Sequence, residues 1–96
     1  MRAKEAIYSL EYSNQFKKDF KKIVKLPIPD IVEFGKVIST LQSGSQLAVK
    51  YVDHPLSGNW SGYRDCHIKP DLVLIYKIDS NTLKLARIGS HSELFN

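Results

Sequence analysis

Three histidines and two aspartates hold most of the chemical potential of this 96-residue chain. His54 stands in the segment Asp-His-Pro, His67 follows Asp65 by two positions, and His91 lies in the closing ARIGSHSELFN. Asp71 follows His67 across a Lys-Pro turn, and Arg87 precedes His91 by four residues. Imidazoles titrate near neutral pH and can take or give a proton there. A guanidinium can hold a phosphate through paired N–H donors. Cleavage of an RNA phosphodiester by its own 2′-OH asks for these parts: a proton acceptor, a proton donor and a cation at the phosphorane. Each residue also has an ordinary use. A loop histidine is commonly a solvated side chain, Asp65 and His67 can be a structural pair, and Asp71 can cap its own turn. Arg87 can form a salt bridge at a sheet edge, and Tyr63 and Phe95 can be packing aromatics.

Other chemistries fit less well. Cys66 is the one cysteine, so there is no internal disulfide and no CxxC metal pair. Cys66 and His67 are neighbours that face opposite ways on an extended chain, and no HxxxH is present, so no metal site is expected. A glycine-rich phosphate loop and a nucleophile elbow are also missing, and no cofactor is expected.

The elements that must position these groups follow from periodicity. Ala6 to Tyr12 alternate as a first strand. Ser13 or Asn14 supplies an N-cap oxygen to a helix from Gln15 to Lys25, whose apolar stripe is Phe16, Phe20, Ile23 and Val24. Leu-Pro-Ile-Pro-Asp breaks this helix. A second helix runs from Pro29 to Gln42, with Ile31, Phe34, Val37, Ile38 and Leu41 as its buried face. Gly35 there could permit close approach of a neighbour. Ser43 to Asn59 is a long connection of the kind that often carries function; within it, Leu47 to Tyr51 has no firm assignment.

Three strands follow, from Trp60 to Ile68, Leu72 to Ile78 and Leu83 to Ser90, joined by the turns KPD and DSN as an antiparallel meander. Alternation places Tyr63, Asp65 and His67 on one face of the first of these, and Trp60, Arg64, Cys66 and Ile68 on the other. The order β-α-α-β-β-β predicts an α+β domain spanning residues 1–96, with a helix hairpin on one face of an antiparallel sheet of four to five strands. The other face is left free for a ligand.

The length admits one domain, and no apolar run approaches the roughly 20 residues that cross a bilayer. No signal peptide is visible, so a soluble cytoplasmic protein without a membrane partner is expected. A formal net charge of +4 gives a mild bias toward polyanions.

The segment DHPLSGNWSGYRDCHIKPDLVLIYKI fits the pattern DHxLxGxWxGxRxxHxxPDxxLIY, and ARIGSHSELF fits R-x-G-[ST]-H-x-x-L-F. On these residues the chain resembles the YafQ branch of the RelE/ParE toxin superfamily from its first strand to its end. The resemblance implies a ribosome-dependent endoribonuclease that cuts messenger RNA in the ribosomal A site without metal. It also implies products with a 2′,3′-cyclic phosphate and a 5′-hydroxyl. By the same resemblance His91 is the leading group for proton transfer at the scissile phosphate, with His54 and His67 assisting. Asp65 and Asp71 match the acidic residues, Phe95 the terminal aromatic that positions substrate, and Arg87 a phosphate-stabilising residue.

The resemblance further implies a cognate antitoxin, with operator DNA bound through the toxin–antitoxin complex. It gives Lys17, Lys18, Lys21, Lys22 and Lys25 a role as a ribosomal RNA docking face. Two rival readings stand beside it: a ParE-like inhibitor of DNA gyrase, and a non-catalytic module that only binds an antitoxin.

Overall fold

The computed structural model describes residues 5–95. The first strand, β1, is Ser9–Tyr12, and Ser13 ends it by capping the helix that follows. The Ser13 hydroxyl accepts the Phe16 N–H at 2.9 Å and donates to the Ala86 carbonyl at 2.7 Å. One side chain thus starts α1 (Asn14–Ile23) and ties it to the sheet. Phe16 and Ile23 are buried, while the five lysines at or just beyond α1 lie on its exposed side. Val24 is exposed, because the helix ends one residue before it.

The helix α2 (Ile28–Gln42) begins with proline in its first turn and buries Val37, Ile38 and Leu41. Gly35 faces open space and makes no close approach. Leu47 packs on the core, and Val49–Tyr51 forms a 3-10 turn.

Four further strands complete the sheet: β2 (His54–Pro55), β3 (Arg64–Lys69), β4 (Leu72–Asp79) and β5 (Thr82–Gly89). A short helix, α3 (His91–Phe95), closes the described chain. The spatial order is β1-β5-β4-β3-β2. The α+β class, the helix pair and the meander stand as expected. The sheet is not antiparallel throughout, however: β1 runs parallel to β5. The two helices return the chain so that the meander's last strand meets β1 pointing the same way. The fifth strand comes from His54–Pro55, two residues that carry no alternation to detect.

Trp60 also departs from expectation. Gly58 at φ 64 and Gly62 at φ 90 turn the chain before β3 begins, so Trp60 sits in a 3-10 turn. It packs edge-on to Tyr63, with ring centroids 5.2 Å apart, on the face opposite Cys66 and Ile68.

The main core lies between helices and sheet, around Phe16, Val37, Leu41, Leu74, Tyr76, Leu83 and Leu85. The opposite face is only partly open. Val73, Ile75 and Leu94 are buried there under Leu56, Trp60, Tyr63 and Ala86. Among the described residues no helix is long and apolar enough to cross a membrane.

Candidate active site

Strand register assembles the site. His54 pairs with Asp65, Asp65 with Ile75, and Ile75 with Arg87, which makes one rung across four strands. The next rung on the same face is His67, Val73 and Gly89. Gly89 leads directly into Ser90 and His91, so the last histidine arrives beside the second. The outcome is a row of rings on the partly open face. The centroids of His54 and His67 are 6.5 Å apart, those of His67 and His91 5.9 Å, and those of His91 and Phe95 5.0 Å. All three predicted histidines, Asp65, Asp71 and Phe95 therefore meet in one place.

Each member is held by a specific partner. His54 Nδ1 lies 2.8 Å from the Val52 carbonyl, which can only accept. Nδ1 must therefore carry the hydrogen, and neutral His54 keeps its lone pair on Nε2. The strand segment bearing His54 is pinned through Asp53, whose carboxylate accepts Tyr76 Oη at 2.7 Å and Arg64 Nε at 3.1 Å. Sequence reasoning gave Asp53, Arg64 and Tyr76 no role. The signal lay in the motif DHxLxGxWxGxRxxHxxPDxxLIY, which contains all three.

Asp65 is 2% exposed. Its Oδ1 lies 3.1 Å from His54 Nδ1, but that nitrogen's hydrogen points to Val52, and no hydrogen bond reaches the buried oxygen. Burial pushes the Asp65 carboxyl up, against the pull of His54, His67 and His91. A carboxyl whose pKa is raised on folding destabilises the fold once ionised, so this penalty sets in as pH rises above its ordinary value. Asp65→Asn should accordingly stabilise the protein by about 1 kcal/mol at pH 7, since an unsatisfied buried group costs about 1–3 kcal/mol. The same change should lower activity at least about tenfold by removing the charge beside His54. Urea unfolding at pH 7 checks the first part; a clear loss of stability would overturn it.

His91 is placed by its backbone. Asp71 Oδ1 accepts the His91 N–H at 2.9 Å. Ser90 and Glu93 form a capping box: Ser90 N–H donates to Glu93 Oε1 at 2.8 Å and Glu93 N–H to Ser90 Oγ at 3.2 Å. Glu93 also meets Lys22 of α1 at 3.0 Å. The Ser90 N–H, Lys22 and the Ser90 hydroxyl hold its pKa down to about 2. Gly89 packs closely at this corner: a Cβ there would lie 3.0 Å from Glu93 Oε1 and press on the capping carboxylate.

Asp71→Ala should reduce turnover about tenfold by loosening His91, with stability changed by about 1 kcal/mol. Asp71→Asn keeps an accepting oxygen and should recover most of that loss. Equal damage from both changes would mean that the carboxylate charge acts in the chemistry itself.

Arg87 shares the rung of Asp65, yet its guanidinium is drawn to Asp19 of α1. Nε lies 2.8 Å from Oδ2 and Nη2 3.1 Å from Oδ1. Asp19 Oδ2 also accepts the Ile88 N–H at 3.1 Å, taking the place of a strand along β5 beyond the end of β1. Burial works against the Asp19 carboxylate, but hydrogen bonds from Arg87, Ile88 and Gln15, with the Arg87 charge, hold its pKa below the ordinary value. Of the five lysines, Lys22 is tied to Glu93, and all five are exposed. Among the described residues no group of three or more His, Cys, Asp or Glu is placed to hold a metal ion.

A five-stranded sheet flanked by two helices, with a row of imidazoles on its partly open face, defines a small α+β protein. Residues 8–96 match the family described as the bacterial toxin of type II toxin–antitoxin systems, YafQ, and the chain belongs to that family. It is 40% identical over 87 residues to the mRNA interferase toxin YafQ of Escherichia coli K12, covering 90% of this chain and 94% of that one. The E. coli DinJ–YafQ complex superposes with a TM-score of 0.81 at 39% identity, over 93% of this chain and 99% of the other. A metal-bound toxin from Helicobacter pylori gives a TM-score of 0.79 at 44% identity, over 92% and 99%.

Proposed function

We infer that this chain is the toxin of a type II toxin–antitoxin pair and an endoribonuclease that cuts messenger RNA on the ribosome. The observation that carries the reading is the row His54, His67, His91 and Phe95 around the buried Asp65. Adjacent rings are spaced to stand on either side of one phosphate, one accepting the 2′-OH proton and its neighbour protonating the leaving 5′-oxygen. His67 is the ring in contact with both others, and His54 is suited to accept a proton because its tautomer leaves Nε2 free. Asp65 beside His54 stabilises the imidazolium that such a transfer creates. Phe95, whose ring centroid lies 5.0 Å from that of His91, offers a surface on which a base would stack beside it. Arg87 stands on the same rung, but Asp19 neutralises its charge, and it reaches a phosphate only by leaving Asp19.

The relative from H. pylori carries a metal. The reaction proposed for this chain uses acid–base groups alone. The E. coli relative is held by DinJ. A cognate antitoxin would silence this chain likewise, an acidic segment suiting its net charge of +4. Operator DNA would be bound through that complex, and the domain extends over residues 1–96.

The test is message cleavage on programmed ribosomes in EDTA by the antitoxin-free protein. A cut message with a 2′,3′-cyclic phosphate end supports the reading. Intact message with inhibited supercoiling would replace it with gyrase inhibition, and no effect in either assay would leave an antitoxin-binding module.

The exposed lysines at and just beyond α1 supply the docking face for ribosomal RNA. Lys17→Glu, Lys18→Glu, Lys21→Glu and Lys25→Glu combined, sparing Lys22 and its ion pair, should weaken ribosome binding at least about tenfold. The salt dependence of binding should flatten by roughly one for each lysine–phosphate pair removed. Unaltered binding would reduce these lysines to a solvated surface.

A further inference from the structure

A second cleft opens next to the histidine row. It holds about 440 Å³ and is lined by Glu33, Lys50, Tyr51, His67, Lys69 and Pro70, among others. Its floor is the outer edge of β3. The partner strand β2 pairs only with Arg64 and Asp65, so the edge from Cys66 to Lys69 has no strand beside it. A bulge falls in the same stretch: His67 pairs with Val73, but Lys69 pairs with Leu72. The bulge turns Lys69 to the helix side while His67 stays on the histidine face. The cleft therefore crosses the sheet edge, with the catalytic row at one end and two ammonium groups at the other.

Those ammonium groups are pre-positioned. Lys69 Nζ is held 2.8 Å from Asp30 of α2. Lys50 Nζ lies 3.4 Å from Glu33 and sits over the Tyr51 ring at 5.0 Å, while Tyr51 Oη donates to Glu33 at 2.9 Å. Glu33 is the one carboxylate in the lining, against Lys50 and Lys69. Both lysines keep substantial exposure, so each can turn from its carboxylate toward a phosphate. Val52 joins the two regions: it lines the cleft, and its carbonyl orients His54.

We propose that this cleft is a second RNA subsite, taking the phosphate of the nucleotide that adjoins the scissile one, with Lys50 and Lys69 as its donors. The proposal rests on the nuclease reading and extends it from one phosphate to two. An RNA chain leaving the histidine row past His67 enters the cleft directly. The second phosphate site fixes the strand on one side of the cut, a positioning effect.

The experiment uses diribonucleotides with a 2′-deoxy sugar at the junction, so that no cleavage occurs, with and without an added terminal phosphate at either end. They are titrated at low salt into the isotopically labelled protein and followed by NMR. One of the terminal phosphates should tighten binding about tenfold and shift the amides of Lys50, Tyr51 and Lys69. In the Lys50→Gln/Lys69→Gln variant, shown folded by its spectrum, that gain should disappear while the unphosphorylated probe binds as before. A gain that survives in the variant, or that neither phosphate produces in the parent protein, overturns the subsite. Either result is independent of ribosomal cleavage, which alone decides the nuclease reading.

Discussion

His91→Ala should lower kcat for message cleavage on programmed ribosomes by about 10²–10⁴-fold, the range expected for removing a general acid–base group. Stability should change little, because the His91 side chain is exposed and its backbone N–H, the group bonded to Asp71, is retained. Ribosome binding should also persist, since the lysine face of α1 is untouched. His91→Gln keeps a polar side chain of similar reach but cannot shuttle a proton, and should be equally impaired. A variant that cuts within about threefold of the parent protein would remove His91 from the chemistry. The neighbouring ring, His67, would then be the group to test, as it contacts both other imidazoles.

Asp19→Ala should be the most destabilising of these single changes, at about 2–3 kcal/mol. Breaking a buried ion pair from one side costs about 3–5 kcal/mol; the figure is reduced because the Arg87 side chain is 24% exposed. The change strands the Arg87 guanidinium and leaves the Ile88 N–H without its acceptor. For a chain of this size, a loss of that order lowers Tm by roughly 10–20 °C. Asp19→Asn keeps acceptor oxygen and should fall between. The pH dependence follows from the depressed carboxyl: the stabilisation is complete above the ordinary carboxylate pKa and fades as pH falls through the lower, folded value. A loss under about 1 kcal/mol at pH 7 would mean that Arg87 finds another partner. Activity of the surviving folded fraction is informative too, because Arg87 freed from Asp19 is the form able to reach a phosphate.

The sequence alone determined whatever depends on local repetition. The stripe Phe16, Phe20, Ile23 and the cap at Ser13 set α1, and the short apolar runs separated by the turns KPD and DSN set the meander. The same period of two put Asp65 and His67 on one face, since side chains on a strand can point only two ways. The histidines, Asp71 and Phe95 came as a set through the motif resemblance, and the fold brings them together.

Tertiary structure decided what joins distant residues. Arg87 and Asp19 are 68 positions apart, Tyr76 and Asp53 23, and Asp71 and His91 20. No local pattern couples such pairs. The parallel pairing of β1, the two-residue β2 and the bulge in β3 are likewise choices of register made between strands. The physical reason is the range of the forces. Backbone sterics and side-chain alternation act over a few residues and are written along the chain. Ion pairing and desolvation depend on which surfaces meet, and that is settled only when the whole core closes.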